Sequence, residues 1–406
     1  MSSLLEQYLT QESEKTSHKR EADEFTDLSA DFKLPPERKF NLQYCKIYRA
    51  RLATQYSQFP FQKLGVTPVQ ILNVPQGSPC TVIGTIYKEM KGKPNVLQRL
   101  ASGKSREKCL TVFYSKVDLT YLEDDTGRMK LGFKEGFSPD ELCTGVVVAI
   151  DGCFLDEAFQ ISKIYYPEIQ FNDRVFNKTD RILLLTSGLT RCNNFELLKN
   201  LAQGTNLATR SLATQLSRVM VCGMLPVNFN GNASSEIINF DADLEGIASR
   251  MAVNLIPGES DISTAFFPRL PMHKSFFPSS FKYQNFRSES NPFRCIIDGG
   301  EVVVICGSTL KDSMKHYNVT TELEAAKNLL KFGHLMPTGP DTLEVYPYET
   351  RDPFCLTKFP NLLIFGGCKE FGFEKMNNLT IVCVPEIEDG FVGFEIGTGE
   401  CFLIET

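Results

Sequence analysis

The chain has 406 residues, 42% of them hydrophobic, with 43 Lys and Arg against 49 Asp and Glu for a net charge of −6. That length holds two or three domains with ordinary apolar cores. The acidic balance argues against a chain that grips nucleic acid unaided, since backbone binding is driven mainly by cations.

In chain order, residues 1–36 are polar and charged and end in Pro35-Pro36. They read as a mostly disordered leader, without the apolar core of a signal peptide. Next, Phe40, Tyr44, Ile47, Tyr48 and Leu52 recur at helical spacing, which predicts an amphipathic helix within residues 37–64. Its polar face would carry Lys46, Arg49 and Arg51. Packing on its own domain is the simpler use of this helix, and partner binding the sharper one.

From about residue 65 to 172 the pattern is β. Segments 81–87 (TVIGTIY), 108–114 (KCLTVFY), 119–133 (LTYLEDDTGRMKLGF) and 144–154 (TGVVVAIDGCF) read as strands separated by turn residues. The third is a hairpin, with Asp125-Thr126-Gly127 as its turn. Such a set resembles an OB barrel. Residues 88–108 are locally basic, seven Lys and Arg against two Glu. A solvated loop is the plain reading, and a DNA-facing loop carrying Lys88, Lys91 and Lys93 the alternative. No aromatic residue lies between Tyr87 and Phe113 to stack a base. The longest apolar run, 145–155, is broken by Asp151 and is too short to span a bilayer.

From residue 173 to 406, apolar strands alternate with helical stretches at 194–201, 241–251 and 319–332, the signature of a layered α/β domain. Four strands end in glycine turns: 183–190 (LLLTSGLT), 219–225 (VMVCGML), 254–261 (NLIPGESD) and 362–367 (LLIFGG). Buried parallel strands deliver loop residues to their carboxyl ends in this way. The spacing resembles that of metal-dependent phosphoesterases, whose motifs read D-x-H, G-D, G-N-H-D and G-H-x-H. On this chain those steps fall on Gly188 and Thr190, on Gly223 and Met224, on Gly258, Glu259, Ser260 and Asp261, and on Gly366 and Gly367. Only glycines and Asp261 survive, with Glu259 as an extra oxygen, too few ligands for two metals. Gly258 and Gly366 are expected to need positive φ in their turns.

The 13 cysteines are scattered with no C-x-x-C pair. The chain therefore offers no zinc or iron–sulfur site of its own, and no cofactor is expected. Its thiols suit the cytosol or nucleus. Phosphate-loop, nucleophile-elbow and H-E-x-x-H motifs are absent.

Taken together, RKFNLQYCKIYRARL, LEDDTGRMKL, NLIPGESD, MHKSFFP, NPFRCIIDGG and PTGPDTLEVYPYETRDPF resemble, in order and spacing, the B-subunit family of the replicative DNA polymerases alpha, delta and epsilon, with the delta branch nearest. The resemblance implies a multi-domain α+β protein: an OB-fold barrel joined to an inactivated calcineurin-like phosphoesterase sandwich. It implies a nuclear, non-catalytic scaffold for replication and repair. One face would hold the cysteine-rich C-terminal domain of the catalytic subunit, another a third subunit that carries a sliding-clamp motif. Clamp and DNA would be reached indirectly, and sharing with polymerase zeta is a family property. The rival readings are a metal-dependent phosphoesterase or nuclease, and a free single-strand binder acting through the barrel.

Overall fold

The computed structural model describes residues 23–93, 112–134, 136–204 and 210–406. Alternating strands close a five-stranded barrel, as expected: β2 (Pro79–Glu89), β3 (Leu119–Glu123), β4 (Arg128–Gly132), β5 (Val147–Leu155) and β6 (Ala158–Tyr165), in the order β2-β3-β4-β6-β5. Every second side chain turns inward. Ile86, Leu122 and Met129 meet in register across three strands and are buried, as are Val82 and Ile150. The β3–β4 turn is held by Asp124, whose Oδ1 accepts from the amides of Thr126 and Gly127 at 2.7 and 3.0 Å.

Three expectations here are corrected. Residues 112–114 are not strand, and 108–111 lie outside the described residues. The strand β6 was not foreseen. The helix spans Cys45–Tyr56, so Phe40 precedes it and is 61% exposed. Arg51, assigned to its polar face, is instead buried. Leu52 packs with Phe59 and Phe61 over Ile83, Val147 and Ala149 on the outside of the barrel.

Residues 37–170 and 309–358 form one unit; residues up to 36, 171–308 and 359–406 form the other. The short strands β7 (Gln170–Phe171) and β14 (Lys358–Phe359) stand where the chain passes between them. The tract 309–358, expected within the C-terminal domain, belongs to the barrel unit because its backbone is bonded there. The amide of Phe113 donates to the carbonyl of Lys315 at 2.7 Å, and the amide of Asn318 to that of Asp140 at 2.6 Å.

The second unit holds two six-stranded sheets. One runs β1-β12-β13-β15-β17-β16, with β1 (Phe25–Asp27), β12 (Phe293–Ile297), β13 (Gly300–Cys306), β15 (Leu362–Cys368), β16 (Gly372–Met376) and β17 (Leu379–Pro385). The other runs β11-β10-β9-β8-β18-β19, with β8 (Ile182–Thr186), β9 (Leu216–Cys222), β10 (Ala252–Ile256), β11 (Phe286–Ser288), β18 (Phe391–Glu395) and β19 (Cys401–Ile404). Within β8, Leu183 and Leu185 join a core with Val302, Val304, Leu362 and Ile364 of the facing sheet. Ile182 and Leu184 face the other way, onto Phe195 and Leu198 of the helix Asn193–Gln203 and Phe240 and Leu244 of the helix Ala233–Ala248. Burial on both faces explains the unbroken apolar runs.

The helix Ala233–Ala248 begins eight residues before the predicted 241, because the Asn232 side chain accepts from the Ser235 amide and caps it there. Residues 1–22 of the leader lie outside the described residues. Residues 23–36 are not structureless: β1 pairs antiparallel with β12, and Asp23 meets Arg218 through two 2.7 Å bonds.

Candidate functional site

The carboxyl ends of β8, β9, β10, β13 and β15 converge, which parallel pairing of β8-β9-β10 and of β13-β15 makes possible. The amide of Gly188 donates to the carbonyl of Gly223 at 2.9 Å, and that of Leu189 to Met224 at 2.6 Å. Gly223 donates in turn to Ile256 at 2.8 Å, and Gly307 to Gly366 at 3.2 Å. All four sequence-predicted turns are thus brought together. Gly188, Gly223, Met224, Gly258, Gly366 and Gly367 are buried, Thr190 and Ser260 half-buried, and Glu259 exposed.

Asp261 is the one buried acid among the predicted positions, and its oxygens are spoken for. Oδ2 accepts from the amides of Met224 and Gly258, Oδ1 from that of Leu225, each at 2.8 Å. Burial raises its pKa, against the opposing pull of the three amides and of Arg269. The carboxylate therefore ties the β9 turn to the β10 turn. The Ser260 hydroxyl donates to the Val227 carbonyl at 2.8 Å, and Glu386 Oε1 accepts from the Val227 amide at 2.7 Å.

The room that ligand side chains would need is occupied. A Cβ added at Gly188 would lie 2.9 Å from Glu386 Cγ. One at Gly258 would lie 2.8 Å from the Cα of Gly223, and one at Gly366 would lie 2.4 Å from the Cβ of Cys222. Positive φ occurs at Gly188, Gly223 and Gly367, not at Gly258 or Gly366. The expected strain at the latter pair is corrected: glycine is required there by close approach.

A second cluster, unread in the sequence, joins His334, Asp352 and Cys355, whose ligand-type atoms lie within 4.8 Å of one another. Asp352 Oδ2 accepts from His334 Nε2 at 2.9 Å and from Arg51 Nε at 2.8 Å. His334 Nδ1 accepts from the Met336 amide at 3.1 Å, which puts the ring proton on Nε2. Both nitrogens are used and a buried guanidinium stands alongside, so the donor set does not fit a cation. Its signal lay in the ETRDPF string, whose Asp352 carried no separate meaning in sequence.

The DNA-facing loop is corrected in part. Lys88 is 2% exposed and donates to the His316 carbonyl at 2.9 Å, with Asp118 Oδ2 at 3.8 Å. The cause is the strand period: Lys88 shares the inward face of β2 with Val82 and Ile86. Burial lowers its pKa, and Asp118 partly offsets this. Lys93 pairs with Asp341 at 2.5 Å, and Lys91 is exposed. The rest of the basic loop, 94–108, lies outside the described residues.

A family profile described as the DNA polymerase delta subunit OB-fold domain matches residues 43–164, and one described as the B subunit of DNA polymerase alpha/epsilon matches residues 184–373. Among curated relatives, the chain is 28% identical over 412 residues to the DNA polymerase delta small subunit of Arabidopsis thaliana, covering 91% of this chain and 92% of that one. It is 27% identical to the small subunit of Oryza sativa subsp. japonica, over 92% and 94% of the two chains. With the Saccharomyces cerevisiae small subunit it shares 26% identity over 86% of each.

Proposed function

Because the chain belongs to the B-subunit family of the alpha, delta and epsilon DNA polymerases, we propose that it is the non-catalytic scaffold subunit of a DNA polymerase delta complex, acting in nuclear replication and repair. The observation that carries this reading is the alignment, along nearly their whole lengths, with proteins named as small subunits of polymerase delta. In this reading the barrel is an OB docking domain, and the two-sheet unit descends from a calcineurin-like phosphoesterase whose site has closed. The state of Asp261 supports the second part: a carboxylate that accepts three backbone N–H bonds has little left for a metal.

The scaffold would bridge the cysteine-rich C-terminal domain of the catalytic subunit and a third, clamp-binding subunit, with sharing by polymerase zeta as an extension of the same surface. Co-expression with the catalytic subunit's C-terminal domain tests this. A stable complex through size exclusion is the expected result. A folded chain that stays monomeric beside that domain at micromolar concentration would overturn the assignment.

A further inference from the structure

Residues 23–32 lie along an edge of the two-sheet unit as a bound peptide would. In β1, Phe25, Thr26 and Asp27 stand opposite Ile297, Ile296 and Cys295 of β12 in antiparallel register. The amide of Asp298 donates to the Glu24 carbonyl and that of Leu28 to the Arg294 carbonyl, each at 2.9 Å. This is strand addition, in which the ladder supplies affinity and alternate side chains supply selectivity. The alternate residues Asp23 and Phe25 make the specific contacts. Both oxygens of Asp23 accept from Arg218 at 2.7 Å, and the two side chains are 3% and 5% exposed. The Phe25 ring stacks on Phe293 with centroids 6.4 Å apart. Two guanidiniums lie against it, Arg218 at 4.3 Å and Arg287 at 4.9 Å from its centroid.

The groove is built by other parts of the unit. β12 is held on its far side by β13, and Arg218 and Arg287 come from β9 and β11 of the other sheet. Arg218 Nη1 also donates to Asn254 Oδ1, a neutral acceptor, so Asp23 supplies the paired charge. A vacated groove would hold a buried guanidinium without that counter-ion, which is costly and calls for another acid in its place. The strap is the more weakly held side. Its ladder is three residues long, Thr26 and Asp27 are exposed, and Phe25 is half-buried. Short segments with exposed backbone and few buried contacts open at lower cost than the core.

We propose that this edge is a docking groove for an extended acidic–aromatic segment of a partner protein, with Asp-x-Phe at alternate positions, and that residues 23–32 fill it until such a partner displaces them. The strap's own contacts define the ligand chemistry: a carboxylate for Arg218, a flat ring for Phe293 and Arg287, and an unpaired backbone for the β12 edge. Because it is tethered, the strap competes at an effective concentration of about millimolar. A free peptide loses that competition. A partner already held elsewhere on the chain brings its segment tethered as well and competes on equal terms. A second copy of the chain carries the same motif, but brings it untethered.

The test uses the full chain and a fluorescein-labelled peptide of residues 23–33, DEFTDLSADFK, followed by anisotropy. The variant Asp23→Ala/Phe25→Ala loosens the strap and leaves the groove intact. It should bind the peptide at least about tenfold more tightly than the wild type, whose tethered strap competes. A peptide carrying the same two alanines should bind neither chain. If the double variant lacks a cooperative thermal transition, Asp23→Asn, which removes only the charge, takes its place with the same expected order of affinities. Absence of peptide binding to a folded variant would overturn the proposal. So would equal affinity for wild type and variant, or undiminished binding of the alanine peptide. Wild-type dimers at the same concentrations that the double variant loses would also overturn it, because the occupant would then be a second copy of this chain.

Discussion

Arg51 Nε donates to Asp352 Oδ2 at 2.8 Å, and the two side chains are 1% and 0% exposed. Three of the four remaining N–H groups of Arg51 are committed as well. Nη1 donates to the carbonyls of Gly145 and Pro337 at 2.8 Å each, and Nη2 to that of Gly339 at 2.6 Å. One guanidinium thus joins the helix Cys45–Tyr56, the approach to β5 and the 337–352 tract within the barrel unit. Burial opposes ionisation of Asp352, but His334 and Arg51 outweigh it and hold the carboxyl well below the usual range.

Replacing Arg51 by Ala would strand a buried carboxylate and three carbonyls. The expected loss is about 3–5 kcal/mol, the usual penalty for removing one partner of a buried pair. Arg51→Lys should recover little, because one ammonium cannot reach four acceptors spread around a planar fork. Urea unfolding of the two variants checks both statements. A lysine variant of wild-type stability would show that charge alone matters here.

Asp261 invites a contrast between structural and metal-binding roles. If its carboxylate serves only the amides of Met224, Leu225 and Gly258, Asp261→Ala should destabilise by about 2–4 kcal/mol through stranded N–H groups. Manganese should then leave the melting temperature of the wild type unchanged and support no hydrolysis of phosphodiesters or single-stranded DNA. Metal-dependent turnover that vanishes in Asp261→Ala would reverse the reading.

Much of this organisation was legible in sequence where a local signal and a tertiary need coincide. The β3–β4 hairpin was read from Asp-Thr-Gly between alternating flanks, and β8, β9, β10 and β15 from apolar runs that end in glycine. Those runs are apolar because both sheet faces are covered. What failed depends on partners distant in the chain. Arg51 looked solvated because its acceptors lie some 90 to 300 positions away. Lys88 stands at the start of a basic stretch, yet it is the last inward position of β2, and strand period puts it inside. Tyr87 and Tyr121 are distant in the chain, and only the β2–β3 register sets the two rings side by side. Period-2 alternation through residues 119–132 was the signal that could have found them.

Gly258 and Gly366 are expected to fail for lack of space, not for backbone strain. Gly258→Ala puts a methyl 2.8 Å from the Cα of Gly223, and Gly366→Ala one 2.4 Å from the Cβ of Cys222. Contacts that short force backbone shifts, typically about 1–3 kcal/mol. Gly65, at φ +65° with open space around its Cβ position, is the control. There alanine meets only the left-handed penalty, about 1–2 kcal/mol. Asparagine, which tolerates that region, should rescue position 65 but neither Gly258 nor Gly366. Thermal melts of the six variants decide it, and a Gly258→Asn or Gly366→Asn variant as stable as wild type would refute the steric account.

Acid should loosen the barrel unit before ordinary carboxylates titrate. Burial lowers the pKa of His334 to about 4, reinforced by Arg51 and opposed by Asp352. Burial likewise lowers His316 to about 3; Asp341 opposes this and Lys93, Lys88 and Lys315 reinforce it. Both rings are therefore neutral in the folded chain at pH values where an unfolded histidine, with a pKa near 6.5, takes up a proton. Below about pH 6.5 the unfolded state binds more protons, so stability falls as pH falls, down to the folded values near 4 and 3. Each ring should remove about 1–2 kcal/mol between pH 6.5 and 5. His316 Nε2 lies 3.0 Å from Thr342 Oγ1, a contact that an amide can keep. His316→Gln should thus be less stable at pH 7.5 yet lose stability more gently on acidification. Urea midpoints at pH 7.5, 6.5 and 5 measure both quantities. Parallel pH profiles for wild type and His316→Gln would mean that this ring does not titrate on unfolding.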